Sequence, residues 1–441
     1  MNLTRALRHP ARLVPLGFLC AVLIGTGLLM LPAARVGEEG APLLVALFTA
    51  TSAVCVTGLV VVDTPTYWSG LGQAIILVLF QVGGFGIMTG ATLLTLAVTR
   101  QLGLSTRLVA KAETKSADLG DVLGVLRVIV VVTLVTEVGV ALVLHAWLTV
   151  AYGVPPAEAA WHAVFQSVSA FNNAGFSTYS DSLMQFSRDP VVMLPLMVAV
   201  ILGGLGFPVI HELMRRSRAG WSVHTRITMF GTALLLVLGT VGTLAYEWHN
   251  VLGEFDLAGK LLNAASHSVM SRTAGFNSID IGSMEPTTLL MTYGLMLIGG
   301  GSAGTAGGIK VTTFFLLAFV VWAEIRGQRD TEAFGRRISQ ETQRQAVTVV
   351  LLSASAVGLG ALIVASTSDF PLDQVIFEVI SAFATVGLST GITADLPPAA
   401  MLTIIVLMFI GRVGTIAVAT ALALRRHDRP FRYPEERPIV G

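Results

Sequence analysis

Four short segments of this chain carry residue types suited to holding a bare ion. They are Val56-Thr57-Gly58, Asn173-Ala174-Gly175, Thr273-Ala274-Gly275 and Thr385-Val386-Gly387. Each places a glycine third and a bulky apolar residue next (Leu59, Phe176, Phe276 and Leu388). None offers an acid, a base or a nucleophile, so the chemistry on offer is that of the backbone. A glycine tolerates positive φ and lets the carbonyls before it turn toward one axis, where they can replace an ion's hydration shell. The oxygens expected to line that axis include those of Thr57, Ala174, Ala274 and Val386. One such strand makes no site, because carbonyls must converge from several sides. The four glycines are spaced 117, 100 and 112 residues apart, so one chain supplies all four.

The residues around each glycine say how it is carried. Runs of helical character precede them at Ala41–Val54, Ala157–Phe171, Ala258–Met270 and Leu372–Ala384. These are shorter than the ~20 residues needed to cross a hydrocarbon core. A short half-helix aimed at an irregular glycine strand is a re-entrant loop, tolerated at membrane depth only where it lines a cavity or is buried in protein. Flanking them are apolar segments at Leu13–Leu31, Gly70–Val98, Val122–Val150, Val191–Met214, Ile227–Tyr246, Thr287–Ala323, Ala346–Ser366 and Ala399–Leu424. The expected fold is thus all-α and integral to the membrane. Its four repeats of span, half-helix, filter strand and span surround a pseudo-fourfold pore. They divide at 1–100, 101–218, 219–330 and 331–441, the last including a cytoplasmic tail.

Composition agrees. Hydrophobic residues make up 54% and charged residues 12% of the 441, and mean hydropathy is +0.75, outside the range of soluble domains. Cys20 and Cys55 form no disulfide framework or zinc pattern, and His145, His249 and His267 lack ligand spacing. With no nucleophile–base constellation either, an enzyme is not expected, and nucleic acid is not an expected partner. The N-terminal stretch, Arg100–Arg127, Arg215–Arg226, Arg326–Arg344 and the C-terminal tail hold 22 of the 28 basic residues. The positive-inside rule then puts both termini in the cytoplasm of a plasma-membrane protein. The opposite side carries acids such as Asp63, Asp181, Glu254 and Asp373, which would concentrate cations at the entrance.

The second span of the third repeat contains Gly299-Gly300-Gly301-Ser302-Ala303-Gly304-Thr305-Ala306-Gly307-Gly308. At ~1 kcal/mol per glycine against alanine this cannot stay helical. No strand precedes it and no GK[ST] follows, so it is not a phosphate loop; an intramembrane gate is expected. Lys310 and Arg412 lie at membrane depth, where ionisable residues are functional candidates. Arg412 is expected to brace the loop through its carbonyls or to repel cations. Gly83-Gly84-Phe85-Gly86 and Gly203-Gly204-Leu205-Gly206 read as sites of close helix packing. Arg272 is expected to point out of the cation path toward an acidic neighbour, and Glu378 and His162 toward filter backbone.

The motifs CVTGL (55–59), NNAGFS (172–177), RTAGFN (272–277) and ATVGLSTG (384–391), with the Gly-rich break before Ile309-Lys310 and an arginine in the last span, resemble the Trk/Ktr/HKT potassium transporters, most of all the KtrB type. The resemblance covers nearly the whole chain. It implies that Gly58, Gly175, Gly275 and Gly387 line a K⁺ filter and that Gly299–Gly308 is the gating loop, with Arg412 near it. It implies K⁺ as the transported ion, with Na⁺ as an activator or coupling ion left open. It further implies a homodimer and a cytoplasmic, RCK-type (KtrA-like) ring that binds ATP or ADP, since this chain has no nucleotide site. Its basic loops would suit that ring or anionic lipid equally. Compared with the T-V-G-Y-G filter of potassium channels, all four strands lack the second glycine, having Val60, Ser177, Asn277 and Ser389 there. Looser selectivity is expected. The alternative is an ion-coupled secondary transporter with inverted halves and a midplane site on broken helices; repeats that all run in one orientation argue against it.

Overall fold

The computed structural model describes residues 10–101, 122–214 and 220–414. They are mostly helical. In chain order come α1 (Pro10–Leu29), α2 (Leu43–Val54), α3 (Gly70–Gln101), α4 (Val122–Ala151) and α5 (Pro156–Asn172). Next are α6 (Pro190–Leu205), α7 (Phe207–Met214), α8 (Val223–Glu247), α9 (Leu257–Met270), α10 (Pro286–Leu297) and α11 (Val311–Ile325). The last are α12 (Gln340–Thr367), α13 (Leu372–Ala384) and α14 (Pro398–Phe409), which runs into a π turn at Ile410–Gly414. A hairpin of two-residue strands, Glu332–Ala333 against Arg336–Arg337, interrupts the helical pattern.

The helices fall into two kinds. Gly70–Gly90, Arg127–Ala151, Val223–Glu247 and Gln340–Thr367 are long and apolar enough to cross a membrane, and α6 with α7 would make a fifth, bent crossing. Val14–Leu29, Val311–Ile325 and Pro398–Gly414 are shorter apolar helices. The long ones turn apolar side chains outward: Val135, Leu142, Leu351 and Leu362 are all exposed. In water each such side chain would forgo ~1.5–3 kcal/mol of burial; against acyl chains it costs nothing. The protein is a multi-pass membrane protein. The expected last span, Ala399–Leu424, is described only to Gly414. Arg5, Arg8 and the C-terminal tail lie outside the described residues.

The short helices α2, α5, α9 and α13 are the inner layer. A 12-residue helix such as α2 rises ~18 Å, well short of a ~30 Å core. Each starts with local help. Pro156 stands at the first turn of α5 and Pro371 just before α13, while the Asp256 carboxylate accepts the Gly259 N–H of α9 at 3.0 Å. Each also packs on the helix before it in the chain: α1 on α2, α4 on α5, α8 on α9, α12 on α13. A second set of contacts links one quarter of the chain to the next. α3 lies on α5, α6 on α9, α10 on α13, and α14 closes back on α2. The inner layer is therefore a closed ring.

Two expected spans are interrupted. The segment Val191–Met214 is not one straight helix: α6 and α7 meet at 102°, at Gly206 with φ +89°. Thr287–Ala323 is broken at 298–310 between α10 and α11. Both breaks fall at glycine runs, and they pack against each other.

Candidate ion-conduction site

All four inner helices end at a glycine strand by the same turn. Two residues before each glycine the backbone has positive φ: Val56 (56°), Asn173 (58°), Thr273 (98°) and Thr385 (50°). The glycines follow at 90°, 71°, 73° and 93° for Gly58, Gly175, Gly275 and Gly387. Only glycine adopts this second conformation cheaply. The reason is also steric. A methyl group placed on Gly58 would lie 2.9 Å from Gly175 Cα, on Gly175 3.3 Å from Gly275 Cα, on Gly275 3.0 Å from Gly387 Cα, and on Gly387 3.1 Å from Gly58 Cα. Each would also press on a carbonyl of the next strand, respectively Ala174, Ala274, Val386 and Thr57. The four glycines meet around one axis. The sequence separates these strands by a hundred residues or more; the fold makes them neighbours.

Electrostatics favour a cation there. The C-terminal ends of α2, α5, α9 and α13 lead directly into the strands, so four partial negative charges of ~0.5 each converge near the axis. Val56, Thr57, Asn173, Ala174, Thr273, Ala274, Thr385 and Val386 are all buried, and the hydroxyls of Thr57 and Thr385 have no hydrogen-bond partner among the described residues.

Three of the strands are pinned by a serine of their own helix, six residues before the glycine. Ser52 Oγ accepts the Gly58 N–H (3.1 Å) and donates to the Leu59 carbonyl (2.8 Å). Ser169 donates to the Phe176 carbonyl (2.7 Å) and Ser381 accepts the Gly387 N–H (3.1 Å). Sequence reasoning missed these residues. The signal was present as Ser-x₅-Gly in three copies, with Val269 in the fourth.

Beneath the ring lies the loop at 299–308. Gly299 N–H bonds the Ile309 carbonyl (2.9 Å) and Val311 N–H the Gly300 carbonyl (3.0 Å), pinching the loop at its base. Its body docks on the α6–α7 break: Gly301 N–H to Gly204 O (2.7 Å), Thr305 N–H to Gly203 O (3.0 Å), and Phe207 N–H to Ala303 O (3.3 Å). Ser302 meets Thr312 at 3.1 Å. Methyl groups on Gly301 or Gly304 would strike this α6 backbone, and one on Gly307 would strike Thr385. The Thr305 hydroxyl donates to the Phe171 carbonyl (3.2 Å) at the end of α5. The loop therefore touches the strands it lies under. Ala306 and Gly308 complete a buried stretch whose carbonyls take the cations: Arg412 donates to Thr305 O and Lys310 to Ala306 O.

Several expectations need amending. Gly203–Gly206 receives the loop rather than a neighbouring helix, although Gly203 also lies against Phe171 O. Gly83 and Gly411 do the equivalent against Val54 O and Phe383 O, and Gly84 packs on the Asn172 side chain. Arg272 finds carbonyls, not an acid: Thr232 O at 3.4 Å and Gly299 O at 3.3 Å. Glu378 accepts from the hydroxyls of Ser389 (2.9 Å) and Thr393 rather than from filter N–H groups, and His162 pairs with the Thr178 hydroxyl (2.7 Å). Glu137, inside α4, accepts from Gln81 (3.3 Å) and Asn172 (3.2 Å), tying α3 and α4 to the end of α5.

A buried ring of glycine strands inside a lipid-facing shell is the architecture of a membrane transport protein, and among the described residues no cluster of His, Cys, Asp or Glu could hold a metal ion. The comparisons with known proteins specify which kind. The TrkH cation transport protein family matches residues 22–431, and the chain belongs to that family. It is 38% identical to Ktr system potassium uptake protein B of Bacillus subtilis, over 98% of this chain and 97% of that one. It is 37% identical to the protein of the same name from Vibrio alginolyticus, over 98% and 94%. It is 34% identical to potassium/sodium uptake protein NtpJ of Enterococcus hirae, over 98% and 97%. The crystal structure of the potassium transporter TrkH from Vibrio parahaemolyticus has a similar fold, with a TM-score of 0.67 at 18% identity, covering 92% of this chain and 84% of that one.

Proposed function

We propose that the chain takes up potassium across the cell membrane through a filter of backbone carbonyls, gated by the loop at 299–308. The observation that carries this is the ring of Gly58, Gly175, Gly275 and Gly387, each against a carbonyl of the next strand. K⁺ sheds water onto the carbonyls of Thr57, Ala174, Ala274 and Val386, helped by the helix ends behind them. It then waits above a loop held shut by bonds to α6, Arg412 and Lys310. In this reading the chain is four repeats (1–100, 101–218, 219–330, 331–441) with eight spans and four half-helices. Both termini face the cytoplasm, in line with the basic loops. The names of the relatives support potassium as cargo, and the potassium/sodium uptake relative agrees with some passage of Na⁺. A homodimer working with a cytoplasmic nucleotide-binding ring completes the proposal.

The test is K⁺ uptake into K⁺-starved cells that lack their own uptake systems, for wild type and Gly387→Ser. Rescue by the wild type, with a shifted K⁺/Na⁺ preference in the variant, is expected. Failure of the wild type even with a cytoplasmic ring subunit supplied would refute the reading and turn attention to a coupled solute transporter.

A further inference from the structure

We infer that Arg272 positions the third filter strand and makes ion preference depend on the state of the loop at 299–308. The inference rests on the filter reading proposed above. The third strand is the exception in the ring. Where the others have Ser52, Ser169 and Ser381, it has Val269, which offers no hydroxyl. Its backbone bonds differ too. Thr57, Ala174 and Val386 each donate to the carbonyl of their helix serine at 2.8 Å, five residues back. In the third strand, Ala274 and Gly275 share the Met270 carbonyl at 3.0 and 3.1 Å. The turn is distorted accordingly, with Thr273 at φ 98° against 50–58° in the other three.

Arg272, next to that turn, supplies a different anchor. The residue is 7% exposed, and no carboxylate pairs with it among the described residues. Its two terminal nitrogens reach the carbonyls of Thr232 on α8 and Gly299, while Nε has no partner among the described residues. Gly299 is the first residue of the loop. A buried charge held by two carbonyls cannot lose one cheaply, because a buried donor left unsatisfied costs its full desolvation. When the loop moves and takes the Gly299 carbonyl with it, Arg272 must follow or be left short of partners. Either way the adjacent Thr273 turn shifts. The other strands keep the serines of their own half-helices throughout. Loop and filter are thus joined through one guanidinium, a physical element that both sites bias.

The experiment measures Rb⁺ and Na⁺ uptake into K⁺-starved cells for the full chain. It compares wild type, Arg272→Gln, Arg272→Lys, a protein lacking residues 302–306, that deletion combined with Arg272→Gln, and Gly387→Ser. Arg272→Gln should lower the Rb⁺/Na⁺ ratio by about fivefold, the low end of common coupling strengths, and Arg272→Lys by less. The deletion should lower the ratio as well as raise total flux. Adding Arg272→Gln to it should change the ratio no further, because a loop freed from its dock on α6 no longer fixes the Gly299 carbonyl that holds Arg272. A wild-type ratio in the deletion protein, or effects that multiply in the combination, overturns the inference. Should Arg272→Gln fail to reach the membrane, the deletion protein alone decides. An unchanged ratio in Gly387→Ser would instead overturn the filter reading beneath it.

Discussion

Replacing Ser52 or Ser381 by alanine tests the proposal that the glycine strands form a filter held from behind. In the native protein Ser52 Oγ accepts the Gly58 N–H at 3.1 Å and donates to Leu59 O at 2.8 Å; Ser381 accepts the Gly387 N–H at 3.1 Å. Both serines are fully buried, so water cannot take over. Alanine leaves a buried N–H unsatisfied, at ~1–3 kcal/mol. Ser52→Ala also removes a donated bond, worth ~0.5–1.5 kcal/mol. Part of this cost falls on folding in general. The part that differs between a strand wrapped on K⁺ and one around Na⁺ changes selectivity, and ~1 kcal/mol of it corresponds to about fivefold. Ser52→Ala should therefore reduce the K⁺/Na⁺ uptake ratio more than Ser381→Ala, each by about threefold to tenfold. The control is Ser355→Ala, whose exposed hydroxyl bonds only the carbonyl of Leu351 in its own helix (2.9 Å). Uptake of both ions in K⁺-starved cells, normalised to protein in the membrane, reads the effect. Ratios at both filter serines equal to that of the Ser355 control would refute the reasoning.

Two further perturbations act on the loop. Arg412→Gln removes the guanidinium that donates to the Thr305 carbonyl, so K⁺ flux should rise severalfold and, with the loop freed, the K⁺/Na⁺ preference should fall as it does in the loop deletion; flux at or below wild type counts against a closing role. Gly206→Ala puts a side chain at φ +89° and into the Ser302 carbonyl, straining the α6–α7 corner by ~1–3 kcal/mol. It should undock the loop and raise flux, whereas a fall in thermal stability without increased flux would make the corner purely structural.

Much of the site was legible because backbone chemistry leaves a compositional mark. A glycine needing positive φ, followed by a bulky apolar residue and repeated behind runs too short to span, can be read without knowing what it touches. The loop at 299–308 was equally plain, since so many glycines cannot persist as helix. What stayed hidden depended on partners far apart in the chain. A serine inside an apolar helix looks ordinary until its hydroxyl is seen on a strand six residues away. Gly203–Gly206 resembled a packing notch because nothing local says that its open carbonyls at 203 and 204 are taken by Thr305 and Gly301 respectively. Arg272 was expected to seek an acid, the usual partner of a buried charge, but none pairs with it among the described residues and carbonyls serve instead. The hairpin at 332–337 has no alternating apolar pattern to announce it.

The closure of the inner ring also bears on how the protein is made. The contact of α14 with α2 joins the last helix described to the second, and Gly411 beside the end of α13 belongs to the same final segment. A chain inserted into the bilayer from its N-terminus must hold the first glycine strand beside a missing neighbour through the synthesis of three further quarters. Ser52 holds the Thr57 and Gly58 N–H groups within the same half-helix, but the side of the strand that faces its missing neighbours stays open, so it must be shielded by α1 and α3 or by the insertion machinery. The ring of glycine strands is therefore the last part of the described fold to close, and a product that stops before α14 lacks the contact that closes it.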